Sequence, residues 1–300
     1  MNDPYMARMP LSFRTGPHVR RESTWHEHGD VIMHADRIGD PGARRRVIFL
    51  HGAGGHSGLL WPFSAAVARR GLYVVAPDLP GYGRTEVGDR SAVRYTDWVS
   101  VADEFVRAER DAHDGPLIVA GASMGGLLGY DVATRTGAVD ALVATCLLDP
   151  RDPAARRRIS RHAWLGDAAP RLMRVVAGPL AGVSVPMRWL ANMAAISNDP
   201  QLTRVVLRDR LGGGTSMPLG FLRSFLEWEP AVEPERAGGF GVVLAHPAED
   251  RWTPVEISLP FFERHAGPRK LVLLEGAGHF PVEEPGAGQL VEAIVDTPLP

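Results

Sequence analysis

Apolar positions along this chain fall into two textures that alternate. Short continuous runs, Val47-Ile48-Phe49-Leu50, Leu72 to Ala76, Leu117 to Ala120, Ala141 to Leu148, Gly241 to Ala245 and Leu271 to Leu274, read as strands buried on both faces. Between them lie segments of helical period: Gly58 to Arg70, Tyr95 to Ala112, Met124 to Thr136, Ile257 to His265 and Ala287 to Val295. Strands and helices alternating at this spacing predict right-handed crossovers and a mostly parallel sheet with helices on both sides. Upstream, the alternations Ser23 to His28 and Asp30 to Asp36 flank Gly29-Asp30 and predict a β-hairpin.

The regularity fails once, between residues 151 and 237, where no good buried strand occurs and Pro170, Pro179, Pro186, Pro200 and Pro218 punctuate a helical texture. The expected organisation is an irregular arm over residues 1–22, a catalytic core over 23–150 and 238–300, and an inserted helical cap over 151–237. An insertion leaving the sheet after one strand and returning at the next emerges from the carboxyl edge of the strands, where open α/β sheets bind ligands. Its apolar residues, Trp164, Leu172, Met173, Met187, Trp189, Phe221, Phe225 and Trp228 among them, have the composition to pack cap helices together and to cover an apolar pocket. Arg156, Arg157, Arg158, Arg161, Arg171, Arg174 and Arg188 make the start of the cap basic, which fits a solvated helix face or a transient anionic lipid interface.

Composition narrows the chemistry. Thirty-three basic against thirty-five acidic residues give a net charge of −2, with Lys270 the sole lysine, so nothing points to nucleic acid. One cysteine, Cys146, forms no internal disulfide and no Cys-based zinc site by itself. The first 21 residues lack the apolar core of a signal peptide and no run approaches a membrane span, so a cytoplasmic location is expected. No metal-binding helix motif or nucleotide loop occurs, and neither metal nor cofactor is expected.

The sharpest chemical signal is Gly121-Ala122-Ser123-Met124-Gly125-Gly126, after one apolar run and before a helix. A strand-to-helix turn of this kind forces the central serine into a strained conformation that only small neighbours permit. It also puts the Met124 N–H at a helix start, where an oxyanion is favoured. A serine nucleophile needs a base. Of eleven histidines, His279 follows the last buried run and so shares a sheet edge with Ser123, whereas His26, His28, His34, His113 and His265 fall elsewhere. The orienting acid is open between Asp149, Glu249 and Asp250, which all satisfy the order serine, acid, histidine. A second oxyanion donor is expected from the loop after an earlier strand.

These residues resemble the α/β-hydrolase superfamily, over about 46–150 and 238–298. The resemblance implies an α/β-hydrolase fold: a mostly parallel eight-stranded sheet flanked by helices, with a helical cap after the sixth strand. In that family the acid stands four residues before a proline, which Asp250 and Pro254 match and Glu249 does not, so the resemblance selects Asp250. The segment His51-Gly52-Ala53-Gly54-Gly55 resembles the family's HGxxG loop and implies that Ala53 N–H is the second oxyanion donor, with His51 structural. Pro77 to Thr85 resembles the D-x-x-G-x-G-x-S turn, with threonine at the last position. Asp199-Pro200 and Arg208-Asp209-Arg210 are similar to the caps of monoacylglycerol lipases and lysophospholipase-like hydrolases. Ala122 and Arg210 depart from that branch's usual histidine and proline.

The resulting expectation is a serine hydrolase, with Ser123, His279 and Asp250 as triad and Ala53 and Met124 as oxyanion donors. It would act on a small-molecule apolar carboxylic ester with a medium or long acyl chain or another bulky apolar group. Trp164, Trp189 and Trp252 are the candidate pocket residues. Lactone, thioester and C–C bond hydrolysis use the same triad, and a non-catalytic ligand receptor uses the same fold. No obligate protein partner is evident.

Overall fold

Two antiparallel strands, β1 (Arg21–His28) and β2 (Val31–Ile38), open the central sheet across Gly29-Asp30, as the alternation predicts. The parallel body is β3 (Arg46–Leu50), β4 (Tyr73–Pro77), β6 (Leu117–Gly121), β7 (Ala141–Ala144), β10 (Gly241–Pro247) and β11 (Arg269–Leu274), in spatial order β1-β2-β4-β3-β6-β7-β10-β11. The computed structural model describes residues 3–14 and 18–299. Among these residues the sheet gains a ninth strand absent from the sequence reading, β5 (Glu86–Val87), which adds two residues to β2.

Burial explains why most strands are legible. Every residue of β3, β4, β6 and β7 is buried, because helices cover both faces: α2 (Ser57–Arg69), α3 (Tyr95–Asp111), α4 (Met124–Thr136), α10 (Leu259–Arg264) and α11 (Gly286–Val295). β11 corrects the expectation of two buried faces. It is the edge strand, with Leu271 and Leu273 42% and 47% exposed. Arg269 and Lys270 at its start discourage a further strand from pairing there.

The arm, expected to be irregular, carries two short helical elements. Its residues form a short 3₁₀ turn (Met6–Arg8) and α1 (Leu11–Arg14), which insert Tyr5, Met9 and Phe13 into the core; Phe13 meets Phe63 of α2 edge-on.

Between β7 and β10 the chain forms α5 (Pro153–Ile159), α6 (Ala163–Val176), α7 (Met187–Leu190), α8 (Pro200–Arg208) and α9 (Leu219–Leu226). This segment is not purely helical: β8 (Ser184–Pro186) and β9 (Ser216–Pro218) pair as a separate antiparallel ribbon. α9 seats on the core through Phe221 and Phe225, whose rings meet Trp98 and Tyr95 of α3. Several arginines brace the segment internally: Arg156 donates to the Pro150 and Arg151 carbonyls, Arg157 pairs with Asp167, and Arg161 donates to the Arg188 carbonyl.

Because the six body strands run parallel, their carboxyl ends share one edge. The loops after β3, β6, β7, β10 and β11 gather there, and they carry Gly52, Ser123, Thr145, Asp250 and His279.

Candidate active site

Ser123 occupies the turn between β6 and α4 with φ 54 and ψ −122, the sole non-glycine residue of positive φ among those described. Such a conformation costs about 1–3 kcal/mol and persists only where the surroundings impose it. Here they do. Gly125 N–H bonds the Ala122 carbonyl, and the Ser123 N–H donates to Thr145 Oγ1 at 3.0 Å. A Cβ on Gly125 would stand 2.3 Å from the Leu50 carbonyl, so α4 packs closely enough that only glycine fits.

His279 and Asp250 come together as the resemblance implies. His279 Nδ1 donates to Asp250 Oδ2 at 2.7 Å, and both side chains are buried. Of the three candidate acids the other two lie elsewhere: Glu249 is exposed, and Asp149 pairs with Arg151. The carboxylate of Asp250 is fully engaged. Trp252 and Thr253 N–H groups each donate to Oδ1 at 2.8 Å, and the Thr253 hydroxyl donates to Oδ2 at 2.7 Å. Burial pushes its pKa up, but the charge and hydrogen bond of His279, with the backbone and hydroxyl hydrogen bonds of Thr253, outweigh burial and hold it below the ordinary carboxylate value. His279 Nε2 is buried and without a hydrogen-bond partner, and His279 and Ser123 line the same cavity.

The loop after β3 closes the site from the other side. A Cβ on Gly52 would stand 2.9 Å from Ser123 Cβ and 3.1 Å from Met124 N, which places the start of the glycine loop directly against the serine turn. Ala53 and Met124 line the cavity with Ser123. His51 holds this loop. Its Nε2 accepts the Leu79 N–H at 2.9 Å and its Nδ1 donates to the Gly52 carbonyl at 2.8 Å, while burial lowers its pKa to about 4 and keeps the ring neutral. The turn after β4 is likewise structural. Burial would raise Asp78, yet His34 and the N–H groups of Ser57 and Arg84 hold it at about 2, and Thr85 Oγ1 donates to the Asp78 carbonyl.

The pocket tryptophans divide. Trp252 lines an apolar cavity of about 130 Å³ beside Ser123, and its ring packs against His279 at 4.8 Å. Trp164 and Trp189 do not reach it and are 65% and 57% exposed; the cavity is lined by the adjacent Leu165 and Leu190. The cause is helical phase. Leu165, Ala169, Leu172 and Met173 form one stripe of α6 and face the cavity, and Trp164 starts a different stripe.

Three supporting residues escaped the sequence reading. Thr253 braces Asp250 and stands 3.0 Å from His279 Nδ1, Thr145 holds the Ser123 amide, and His246 Nδ1 donates to the Thr145 carbonyl at 2.8 Å. Thr253 and His246 flank Asp250 within a single segment, and that position was the available signal.

This fold, with a strained serine turn and a histidine–carboxylate pair at one sheet edge, defines a hydrolase class. A model of the alpha/beta hydrolase family matches residues 47–291, and the chain belongs to that family. Among solved structures it is similar to a soluble variant of monoglyceride lipase from Saccharomyces cerevisiae (TM-score 0.74, 15% identity, 93% of this chain and 95% of that one). A monoacylglycerol lipase from Paleococcus ferrophilus is also similar (TM-score 0.68, 22% identity, 88% of this chain and 98% of that one). At these identities the likeness is one of fold. A protein phosphatase methylesterase 1 from Mus musculus is 30% identical over 151 residues, a match spanning 45% of this chain and 39% of that protein. No helix among the described residues is long and apolar enough to cross a membrane.

Proposed function

We propose that the protein hydrolyses carboxylic esters through an acyl-enzyme on Ser123. The observation that carries this reading is the pairing of a strained Ser123 with a His279 whose Nδ1 is tied to Asp250 and whose Nε2 has no partner, the two residues lining one cavity. Asp250 fixes the tautomer in which Nε2 is the basic nitrogen. Ser123 Oγ attacks the ester carbonyl and its proton passes to Nε2. The negative oxygen of the tetrahedral intermediate lies between the N–H groups of Ala53 and Met124, each such donor contributing about 3 kcal/mol. Collapse breaks the acyl C–O bond, and the proton on Nε2 goes to the departing alkoxide. Water then attacks the acyl-enzyme, giving its proton to Nε2, and a second collapse releases the carboxylic acid and returns the proton to Ser123.

The cavity under the inserted segment is walled by Leu165, Met173, Met187, Phe221, Phe225 and Trp252, which favours a medium or long acyl chain or another bulky apolar group. Hydrolysis of ethyl esters from two to sixteen acyl carbons tests this. Turnover should rise with chain length to a medium or long optimum and vanish in Ser123→Ala; a peak at acetate, or turnover that survives Ser123→Ala, contradicts it.

A further inference from the structure

Two adjoining cavities meet at Ser123, and they differ in size and in which catalytic group lines them. The larger, about 130 Å³, runs beneath the inserted helices and has Ser123, Met124 and Trp252 in its wall but not His279. The smaller, about 40 Å³, lies between the glycine loop and the β11 loop and has both Ser123 and His279 in its wall. Ala53 borders both.

We propose that the enzyme divides its ester unequally, the long apolar acyl chain entering the larger cavity and a leaving alcohol of only a few heavy atoms entering the smaller one beside His279. The assignment rests on the ester-hydrolase reading above and follows from the tetrahedral centre. Of the four substituents on the attacked carbon, one is Ser123 Oγ and one is the oxyanion directed at Ala53 and Met124. Two remain, and two cavities are available. The leaving oxygen must receive its proton from His279 Nε2, which is buried and unpartnered, and His279 is in the wall of the smaller cavity and not of the larger. The alcohol therefore goes there and the acyl chain goes under the inserted helices.

Size and polarity then define the alcohol. A water-sized group needs about 10–15 Å³ of such space, so 40 Å³ admits roughly three, the span from methanol to a propanol. The wall away from the catalytic groups is apolar, built from Phe49, Leu60, Phe63, Ile196, Val206 and Phe280. A glyceryl group, with six heavy atoms, exceeds that space, and beyond Thr145, His51 and the glycine-loop backbone its hydroxyls would meet this apolar wall. Ile196 and Val206 come from the inserted segment, and the Ile196 carbonyl accepts the Phe280 N–H at 2.9 Å, which fixes the cavity's far wall. These two side chains are the specificity-determining positions for the alcohol.

The test is two ester series. With the acyl group held at dodecanoyl, kcat/KM is measured for methyl, ethyl, butyl, octyl and 1-glyceryl esters; with methanol held, the acyl length is varied. We expect kcat/KM to fall at least tenfold from methyl to octyl and to glyceryl, and to rise with acyl length. Ile196→Ala should restore butyl turnover relative to methyl while leaving the acyl profile unchanged, with Val206→Ala as the second variant if Ile196→Ala does not fold. Octyl or glyceryl esters cleaved as well as methyl, or a preference for short acyl groups on long alcohols, overturns the assignment and leaves the ester-hydrolase reading standing. Absence of turnover for every ester in both series sinks that reading, and the assignment with it.

Discussion

Gly52 shows how little room the reacting atoms are given. A Cβ there would lie 2.8 Å from the Ala122 carbonyl oxygen as well as 2.9 Å from Ser123 Cβ, and both belong to a turn already held in a strained conformation. Gly52→Ala should therefore displace the glycine loop and, on the oxyanion role proposed for Ala53 N–H, lower kcat on the order of 10²–10³-fold, the loss typical of one such donor, with the far-UV circular dichroism unchanged. Wild-type kcat in a folded Gly52→Ala would show that the loop does not set the site. Thr253→Val removes the hydroxyl that donates to Asp250 beside His279. A hydrogen bond to a charged group is worth about 1.5–3 kcal/mol, so turnover should drop roughly tenfold or more, with Thr253→Ser recovering most of it. Unaltered turnover in Thr253→Val would assign the threonine a packing role. At this scale the sequence was informative where chemistry restricts residue type and position together, as at Ser123, His279 and Gly52. It was silent at Thr145 and Thr253, whose hydroxyls matter only through distances that folding creates.

Elements were legible in proportion to their burial. β3, β4, β6 and β7 have helices on both faces and read as continuous apolar runs, but β5, β8 and β9 are two or three residues long and carry no pattern. The edge position of β11 was hidden because its leucines read the same covered or bare. Elements also meet where no pattern could announce it. Asp209 ends α8; its Oδ1 accepts the Leu211 N–H at 2.9 Å, and its Oδ2 accepts from His56 Nε2 at 2.8 Å and from the Tyr5 hydroxyl. The turn it holds presses on the glycine loop after β3, since a Cβ on Gly212 would stand 2.5 Å from the Gly54 carbonyl oxygen. The amino-terminal arm, the inserted segment and the core are thus joined at one carboxylate. Asp209→Ala should destabilise the protein by about 1–3 kcal/mol in urea unfolding and lower kcat, with Tyr5→Phe giving a smaller loss of stability. Wild-type stability in Asp209→Ala would remove this junction from the account.

For the molecule as a whole, one buried carboxyl couples stability to pH. Asp131 on α4 is buried beneath Trp228, whose indole N–H donates to its Oδ2, while Oδ1 has no partner. Burial, only partly offset by the Trp228 hydrogen bond and the charge of Arg135, raises its pKa to about 7. The unfolded chain ionises this group near pH 4, at roughly the ordinary aspartate value. Below that pH both states hold the proton. Between about 4 and 7 the folded state alone retains it, so stability falls as pH rises through this window and the full penalty applies above it. Asp131→Asn, which keeps an acceptor for Trp228, should be more stable than wild type at pH 8 by on the order of 2–4 kcal/mol, the gap closing toward pH 4. Equal stability at pH 8 would contradict this.

The global arrangement was readable from strand and helix order, because parallel crossovers leave few topologies and gather the loops at one edge. Which side chains of the inserted helices face inward was not, since composition does not fix helical phase.

The account stands or falls on Ser123 being an activated nucleophile. Labelling with a fluorophosphonate, followed by intact-mass measurement and peptide mapping, tests that directly. One adduct per chain, on Ser123, is expected in wild type and none in Ser123→Ala, with labelling strongly slowed in His279→Ala. An unlabelled wild type, or an adduct that persists in Ser123→Ala, would contradict it.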